Sequence, residues 1–115
     1  MTGVSTDVWT QLRKGVVEFC VLGLLAERPR YGWELADTLI TNNLIASIGT
    51  LYPMLTRLRS QGFVSTYNEV SGAGPVRKYY ELTPAGIAQL ASFRAHWGPF
   101  SSTVYRIVGG DEHHD

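Results

Sequence analysis

Four basic side chains gather in one stretch of this chain, and their chemistry is that of phosphate recognition. Between Ser47 and Tyr80 stand Arg57, Arg59, Arg77 and Lys78 against a single acid, Glu69, a local excess of three positive charges on a chain whose formal net charge is zero. Guanidinium and ammonium groups donate charge-assisted hydrogen bonds to phosphate oxygens, and such contacts supply much of a protein's affinity for a nucleic acid. Ser47, Gly49, Thr50, Tyr52 and Pro53 precede them, and Tyr79 follows Lys78 directly. The Thr50 hydroxyl suits a base edge or a phosphate, and the Tyr52 hydroxyl a phosphate oxygen. Gly49 and Pro53 are small, so a helix carrying them can bring its backbone close to a duplex. The same four cations also suit solvated helix and strand ends, so the elements that position them must decide.

Residues 8–26 carry Val8, Leu12, Val16, Phe19, Leu22 and Leu25 at steps of three and four, which predicts one helix ended by Arg28-Pro29. Gly15 and Gly23 weaken it by about 1 kcal/mol each and suit the close approach of another helix. A second helix is expected from Tyr31 to about Asn42, with Leu35, Ala36, Leu39 and Ile40 inward and Asn42-Asn43 as its stop. A third runs from about Ser47 to Gln61, with Gly62 just past its end. On a wheel of about 100° per residue centred on Leu51, Gly49, Pro53, Thr56, Arg57 and Ser60 point outward and Thr50 and Tyr52 lie on the flanks. Pro53 lacks an N–H, so a start near Thr50, which places it in the first turn, is favoured.

Phe63 to Val70 and Val76 to Leu82 read as strands of a hairpin around a glycine-rich tip, Ser71 to Pro75. Alternation puts Val76, Lys78, Tyr80 and Leu82 on one face and Arg77, Tyr79 and Glu81 on the other. Thr83 and Pro84 suit the N-cap and first position of a last helix carrying Ile87, Leu90, Phe93, Trp97, Val104 and Ile107, with a kink or break expected at Gly98-Pro99. The class is therefore mainly α with a small β-hairpin. The order of three short helices and a hairpin is that of a winged helix-turn-helix over 8–82, followed by a C-terminal helix over 83–108 and a disordered tail over 109–115. In such a domain the third helix enters the major groove and the hairpin tip grips the flanking backbone.

Composition bounds the rest. The 115 residues are 44% hydrophobic, enough for one folded domain. One cysteine, Cys20, excludes a disulfide within the chain and suits a reducing compartment. The longest apolar run, Val16 to Ala26, has 11 residues and contains Glu18, too short to cross a membrane. Asp7 precedes any apolar stretch, so no signal peptide is expected and the chain is expected to be cytoplasmic. No phosphate loop, nucleophile elbow or HExxH occurs, so no enzyme is expected, and no cofactor. Gly109-Gly110-Asp111-Glu112 spells a diguanylate cyclase signature, but only three residues follow it and no nucleotide-binding domain surrounds it. His113 and His114 with their acidic neighbours belong to the tail. Cys20, among Phe19, Val21 and Leu22, reads as a structural thiol.

Longer matches then appear. Tyr31-Gly32-Trp33-Glu34-Leu35 resembles the "YGYEI" that opens the second helix of the PadR family, and Gly49 to Leu55 with Arg57-Leu58 resembles its "GTLYPLLKRL". Gly62-Phe63-Val64 resembles its "GLI" strand entry, and Gly74-Pro75 with Arg77 to Gly86 resembles its "GGPRRKYYRLTEKG" wing. The resemblance runs from about Leu12 to Leu90. It implies a homodimeric repressor that binds palindromic double-stranded DNA through the helix bearing Gly49 to Tyr52 and the wing bearing Arg77 and Lys78. It also implies a last helix that pairs with the first helix of the partner chain. Short members of the family include drug sensors with an aromatic of the last helix lining a pocket at the dimer centre. Trp97 falls at that place, with Phe93 and His96 beside it. Trp97 then reads either as an interface aromatic or as a platform for a small planar aromatic effector. Two other readings stay open: a metal- or redox-sensing repressor using Cys20 with histidines, and a winged helix that binds only proteins.

Overall fold

The computed structural model describes residues 3–70 and 72–109, with side chains from Val8 onward. Five helices and three short strands follow in the order α1 (Gly3–Arg13), α2 (Val17–Glu27), β1 (Arg30–Tyr31), α3 (Gly32–Thr41), α4 (Ile48–Ser60), β2 (Val64–Val70), β3 (Val76–Leu82) and α5 (Pro84–Val108). The part of the tail from Gly110, with Asp111, Glu112, His113 and His114, lies outside the described residues.

The single helix expected over 8–26 is two helices. Gly15 sits between them at φ +78, in the left-handed region that a β-carbon disfavours, and the Val16 amide closes the turn on the Arg13 carbonyl at 3.1 Å. No atom outside its own neighbours lies within 4 Å of a β-carbon built at Gly15 or Gly23, so neither glycine admits another helix of this chain. Periodicity hid the break because Val8 and Leu12 keep the phase of Val16, Phe19 and Leu22 across it, whereas α2 buries Val17, Val21, Leu22 and Leu25, a face turned away from that of Val8 and Leu12.

Leu35, Ala36 and Leu39 of α3 and Leu51, Met54, Leu55 and Leu58 of α4 pack with Val21, Leu22 and Leu25 of α2 into one core. Ile40, expected inward, is 38% exposed. Asn43, at φ 60, ends α3, and the Leu44 amide reaches back to the Leu39 carbonyl at 2.8 Å. The start of α3 is held by Glu34, whose Oε1 accepts from the Tyr31 amide at 3.1 Å.

Helix α4 begins at Ile48, earlier than the start near Thr50 that Pro53 favours. Pro53 therefore stands inside the helix and supplies no donor to the Gly49 carbonyl. Gly49 is exposed, so water meets that oxygen instead. The break expected at Gly98-Pro99 is likewise absent. Helix α5 runs through Pro99, and the Ala95 carbonyl that loses its donor is on an exposed residue.

Strands β2 and β3 pair antiparallel with Asn68 opposite Lys78 and Tyr67 opposite Tyr79. The hairpin gains a third strand, β1, whose Arg30 and Tyr31 pair with Tyr80 and Tyr79. Two residues following Pro29 carry no alternation from which that strand could be read. Arg30 is almost fully buried; its Nε donates to the Leu24 carbonyl at 3.1 Å and its guanidinium pairs with Glu27, tying β1 to the end of α2.

The hairpin meets α5 at a tight contact. Thr83 Oγ1 accepts from the Gly86 amide at 3.0 Å and donates to the Gly62 carbonyl at 2.6 Å. A β-carbon on Gly86 would lie 2.1 Å from the Phe63 carbonyl oxygen and 2.9 Å from Leu82 Cδ2. That oxygen also accepts from the Thr83 amide, so the backbone is pinned on both sides. Gly86→Ala is expected to cost about 3 kcal/mol, read as a lower urea midpoint at unchanged slope.

Candidate nucleic-acid interface

The structure brings the wing's two cations beside part of α4 on one side of the domain. Helix α4 presents Tyr52 and Thr56 toward the wing, and Arg77 and Lys78 face them across a cleft of about 440 Å³ that Tyr31, Gly32, Trp33 and Tyr80 complete. Ser47, Gly49, Thr50, Tyr52, Pro53, Arg77 and Lys78 are all exposed, and Tyr79 is half-buried. Each is therefore placed where a ligand as large as a duplex can reach it, except the ring of Tyr79, which packs within the sheet.

Local rules explain the placement. Alternation along β3 sends Lys78 to the face of the buried Tyr80, toward α3 and α4, and Arg77 to the opposite face with Tyr79. Burial of Leu51, Leu55 and Leu58 turns Tyr52 and Thr56 out. The Tyr52 hydroxyl lies over Gly32, 2.7 Å from where a β-carbon would stand, so the missing side chain makes room for it. Burial pushes the Tyr80 hydroxyl above its ordinary pKa, with Tyr52 adding to the rise and Arg59 opposing it. Tyr80 therefore stays neutral beside the cleft.

Arg57 stands apart from this group. It was placed on the outward face, and it is half-exposed, but its Nε donates to Glu18 Oε2 at 2.9 Å and its second nitrogen contacts the same oxygen. It borders a different hollow, of about 370 Å³, with Arg13, Lys14, Thr50 and Met54. Its charge is partly neutralised within the chain, so Arg77 and Lys78 carry more of the local field than counting alone suggested.

Trp33 escaped the sequence reading. It is 56% exposed and lies at the rim of the cleft. The signal was present: at about 100° per residue Trp33 falls opposite Leu35 and Leu39, so α3 must turn an indole to solvent. Tyr31 was missed because it becomes part of the cleft only through β1, and Thr56, read as outward-facing, joins the cleft only through the wing.

The three residues expected at a ligand site also come together. Phe93, His96 and Trp97 line an open groove of about 650 Å³ with Lys14, Gly15, Val16, Pro99, Phe100 and Thr103. Phe19 stacks on Phe93 with ring centroids 4.3 Å apart, Phe93 on Trp97 at 5.4 Å, and Trp97 leans on Phe100 at 6.3 Å. Trp97 remains 42% exposed. His96 Nδ1 lies 2.8 Å from the Ser92 carbonyl, a contact that the tautomer bearing a proton on Nδ1 makes as a donor. Cys20 packs partly buried against the core, and that burial raises its thiol above the ordinary range. A raised thiol holds less thiolate, the form that oxidants and metals need.

Comparison with known proteins finds relatives of the same fold. Residues 21–92 match the model described as the transcriptional regulator PadR-like family. A PadR family transcriptional regulator from Eggerthella lenta is 29% identical over 96% of each chain and superposes with a TM-score of 0.82. A PadR-like transcriptional regulator from Bacillus cereus is 35% identical, covering 88% of this chain and 99% of its own, with a TM-score of 0.77. PadR of Bacillus subtilis, solved in complex with operator DNA, is 24% identical and shares the fold over 69% of this chain and 46% of its own, with a TM-score of 0.61.

Proposed function

The chain belongs to the PadR-like family of transcriptional regulators, and from that premise we propose that it is a homodimeric repressor of palindromic operator DNA, released by a small planar effector. One observation carries the DNA reading. Tyr52 and Thr56 on the exposed side of α4 stand beside Arg77 and Lys78, with a cleft between them open to solvent. Helix α4 reads base edges from Thr50 while Tyr52, Arg77 and Lys78 bind phosphates on its flank. The Bacillus subtilis protein of the same fold, caught on its operator, supports that use of the fold. In a two-fold dimer the two α4 helices reach half-sites about 34 Å apart.

The test is titration of a labelled duplex taken from upstream of its own gene at several salt concentrations. Binding with a log affinity that falls linearly with log salt, by about 0.9 per phosphate contacted, is expected. A chain that ignores every such duplex at low ionic strength is a winged helix that meets only proteins.

The effector reading rests on the aromatic stack from Phe19 to Trp97. Its outer ring is half in solvent on a groove that a single protomer leaves open. A flat ligand stacked on Trp97 continues that stack. The partner's helices, brought against α5, would close it in. With Trp9→Phe and Trp33→Phe removing the other indoles, a planar aromatic cation is expected to quench Trp97 fluorescence. Trp97→Ala, assayed by calorimetry, should weaken its binding about tenfold, the worth of one aromatic stacking contact with its buried area.

A further inference from the structure

We propose that Tyr31 is the positioning residue for Arg77: its ring is the shelf that holds the wing's guanidinium in place for a phosphate. This rests on the DNA reading above and adds to it the part played by α3 and β1, which touch no base.

The sheet register sets up the contact. Tyr31, Tyr79 and Tyr67 stand opposite one another on β1, β3 and β2, so their rings share the outer face of the sheet. Tyr67 stacks on Tyr79 with centroids 5.5 Å apart, and Tyr31 meets Tyr79 edge-on at the same separation. Arg77 lies two residues before Tyr79 on that face. On the β2 side its partner is Glu69. On the other side β1 has already ended, because Gly32 begins α3. The space beside Arg77 is therefore free of a strand, and its side chain folds over the last residue of β1, with Cζ 4.6 Å from the centroid of Tyr31. Among the described residues no carboxylate, Glu69 included, lies within 4.0 Å of that guanidinium, so the ring holds it without neutralising it. A guanidinium on a ring face keeps its N–H groups in the plane, pointing past the ring edge and free to donate.

Tyr31 is itself fixed. Its amide is bound by Glu34, and its strand is anchored through the buried Arg30. The wing's leading cation is thus aligned by the first helix of the helix-turn-helix, and the spacing between α4 and the phosphate-binding wing does not depend on the hairpin alone. Less side-chain freedom then remains to be lost when DNA binds.

The test combines a spectrum without DNA and a binding cycle with it. In the free protein the Arg77 δ-methylene protons are expected upfield of their random-coil position in the wild type and in Tyr31→Phe, and back at it in Tyr31→Leu. Operator affinity should be unchanged in Tyr31→Phe and weaker by about threefold to tenfold in Tyr31→Leu, and Tyr31→Leu should add nothing to Arg77→Ala. An unshifted Arg77 in the wild type overturns the proposal whatever DNA does. So does a loss in Tyr31→Phe, or an equal loss from Tyr31→Leu with and without Arg77, because the tyrosine then acts on the fold and not on the cation. If the spectrum behaves as stated and Arg77→Ala leaves DNA affinity untouched, the shelf exists but the wing reading has failed, and Tyr31 positions Arg77 for no phosphate.

Discussion

Arg77→Ala with Lys78→Ala is expected to weaken operator binding by on the order of a thousandfold at 0.1 M salt. Each side chain answers to one phosphate, and a two-fold dimer presents each twice, so four contacts are lost. At about 0.9 in slope per contact, the plot of log affinity against log salt should flatten by about 3.6; with the two lines meeting at about 1 M salt, the loss at 0.1 M is then a few thousandfold. The expectation is sharp because neither side chain is needed for folding. Both are exposed, and neither forms an ion pair within the chain among the described residues. The thermal midpoint should fall by no more than a few degrees, the worth of the lost contact between Arg77 and Tyr31. Arg57→Ala serves as the contrast. Its guanidinium is shared with Glu18, so its removal should change the salt slope by less than either wing residue does. A double wing variant with unchanged slope would remove the hairpin from the interface and leave α4 to bind alone.

The parts of this site that could be read from the residues are those set by short-range rules. Alternation assigned Arg77 and Lys78 to opposite faces of β3, and the wheel turned Gly49, Pro53 and Thr56 outward from Leu51; both assignments hold in the structure. The Thr83 cap was equally local. The parts that could not be read depend on partners far along the chain or on backbone states that leave periodicity intact. Arg57 faces an acid on α2, and no wheel centred on Leu51 contains that acid. Gly15 breaks the helix at a positive φ, and the run of Val8, Leu12, Val16, Phe19 and Leu22 at steps of three and four continues across it, so spacing carries no sign of the break. Strand β1 exists because Tyr79 and Tyr80 offer it an edge, and its two residues have no pattern of their own. Both prolines inside helices misled in the same way. The rule counts the lost hydrogen bond, but at Pro53 and Pro99 the orphaned carbonyls belong to exposed residues, where solvent can replace the lost donor at little cost. Sequence reasoning therefore reached the fold class and put Arg77 and Lys78 at the surface, but not the distant contacts by which the scaffold aims them.

That scaffold leaves a large apolar surface uncovered, and this leads to the second expected result: Val104→Asp should dissociate the proposed dimer, with its dissociation constant raised at least a hundredfold. Trp97, Phe100, Val104, Ile107 and Val108 share one side of α5 at helical spacing, and all are between 41% and 75% exposed. On α1, Val8, Trp9 and Leu12 are also exposed, and none of the described side chains of α1 belongs to the buried core. A lone domain gains nothing from such stripes, and a second copy would cover them. In a two-fold interface one substitution acts twice, so two carboxylates must be buried without partners, each at a cost of about 2 kcal/mol or more. Together these exceed the 2.7 kcal/mol or so that a hundredfold change requires. Because Val104 lies off the monomer's core, far-ultraviolet circular dichroism should be unaltered while sedimentation velocity shows the smaller species. Ser102, about 160° around the helix from Val104 at about 100° per residue, supplies the control: Ser102→Asp should sediment as the wild type does. DNA affinity should fall with the dimer, since two linked α4 helices bind two half-sites far more tightly than two separate ones. A Val104→Asp protein that remains dimeric at micromolar concentration would show that α5 is not what joins the subunits, and the closure of the Trp97 groove by a partner would fall with it.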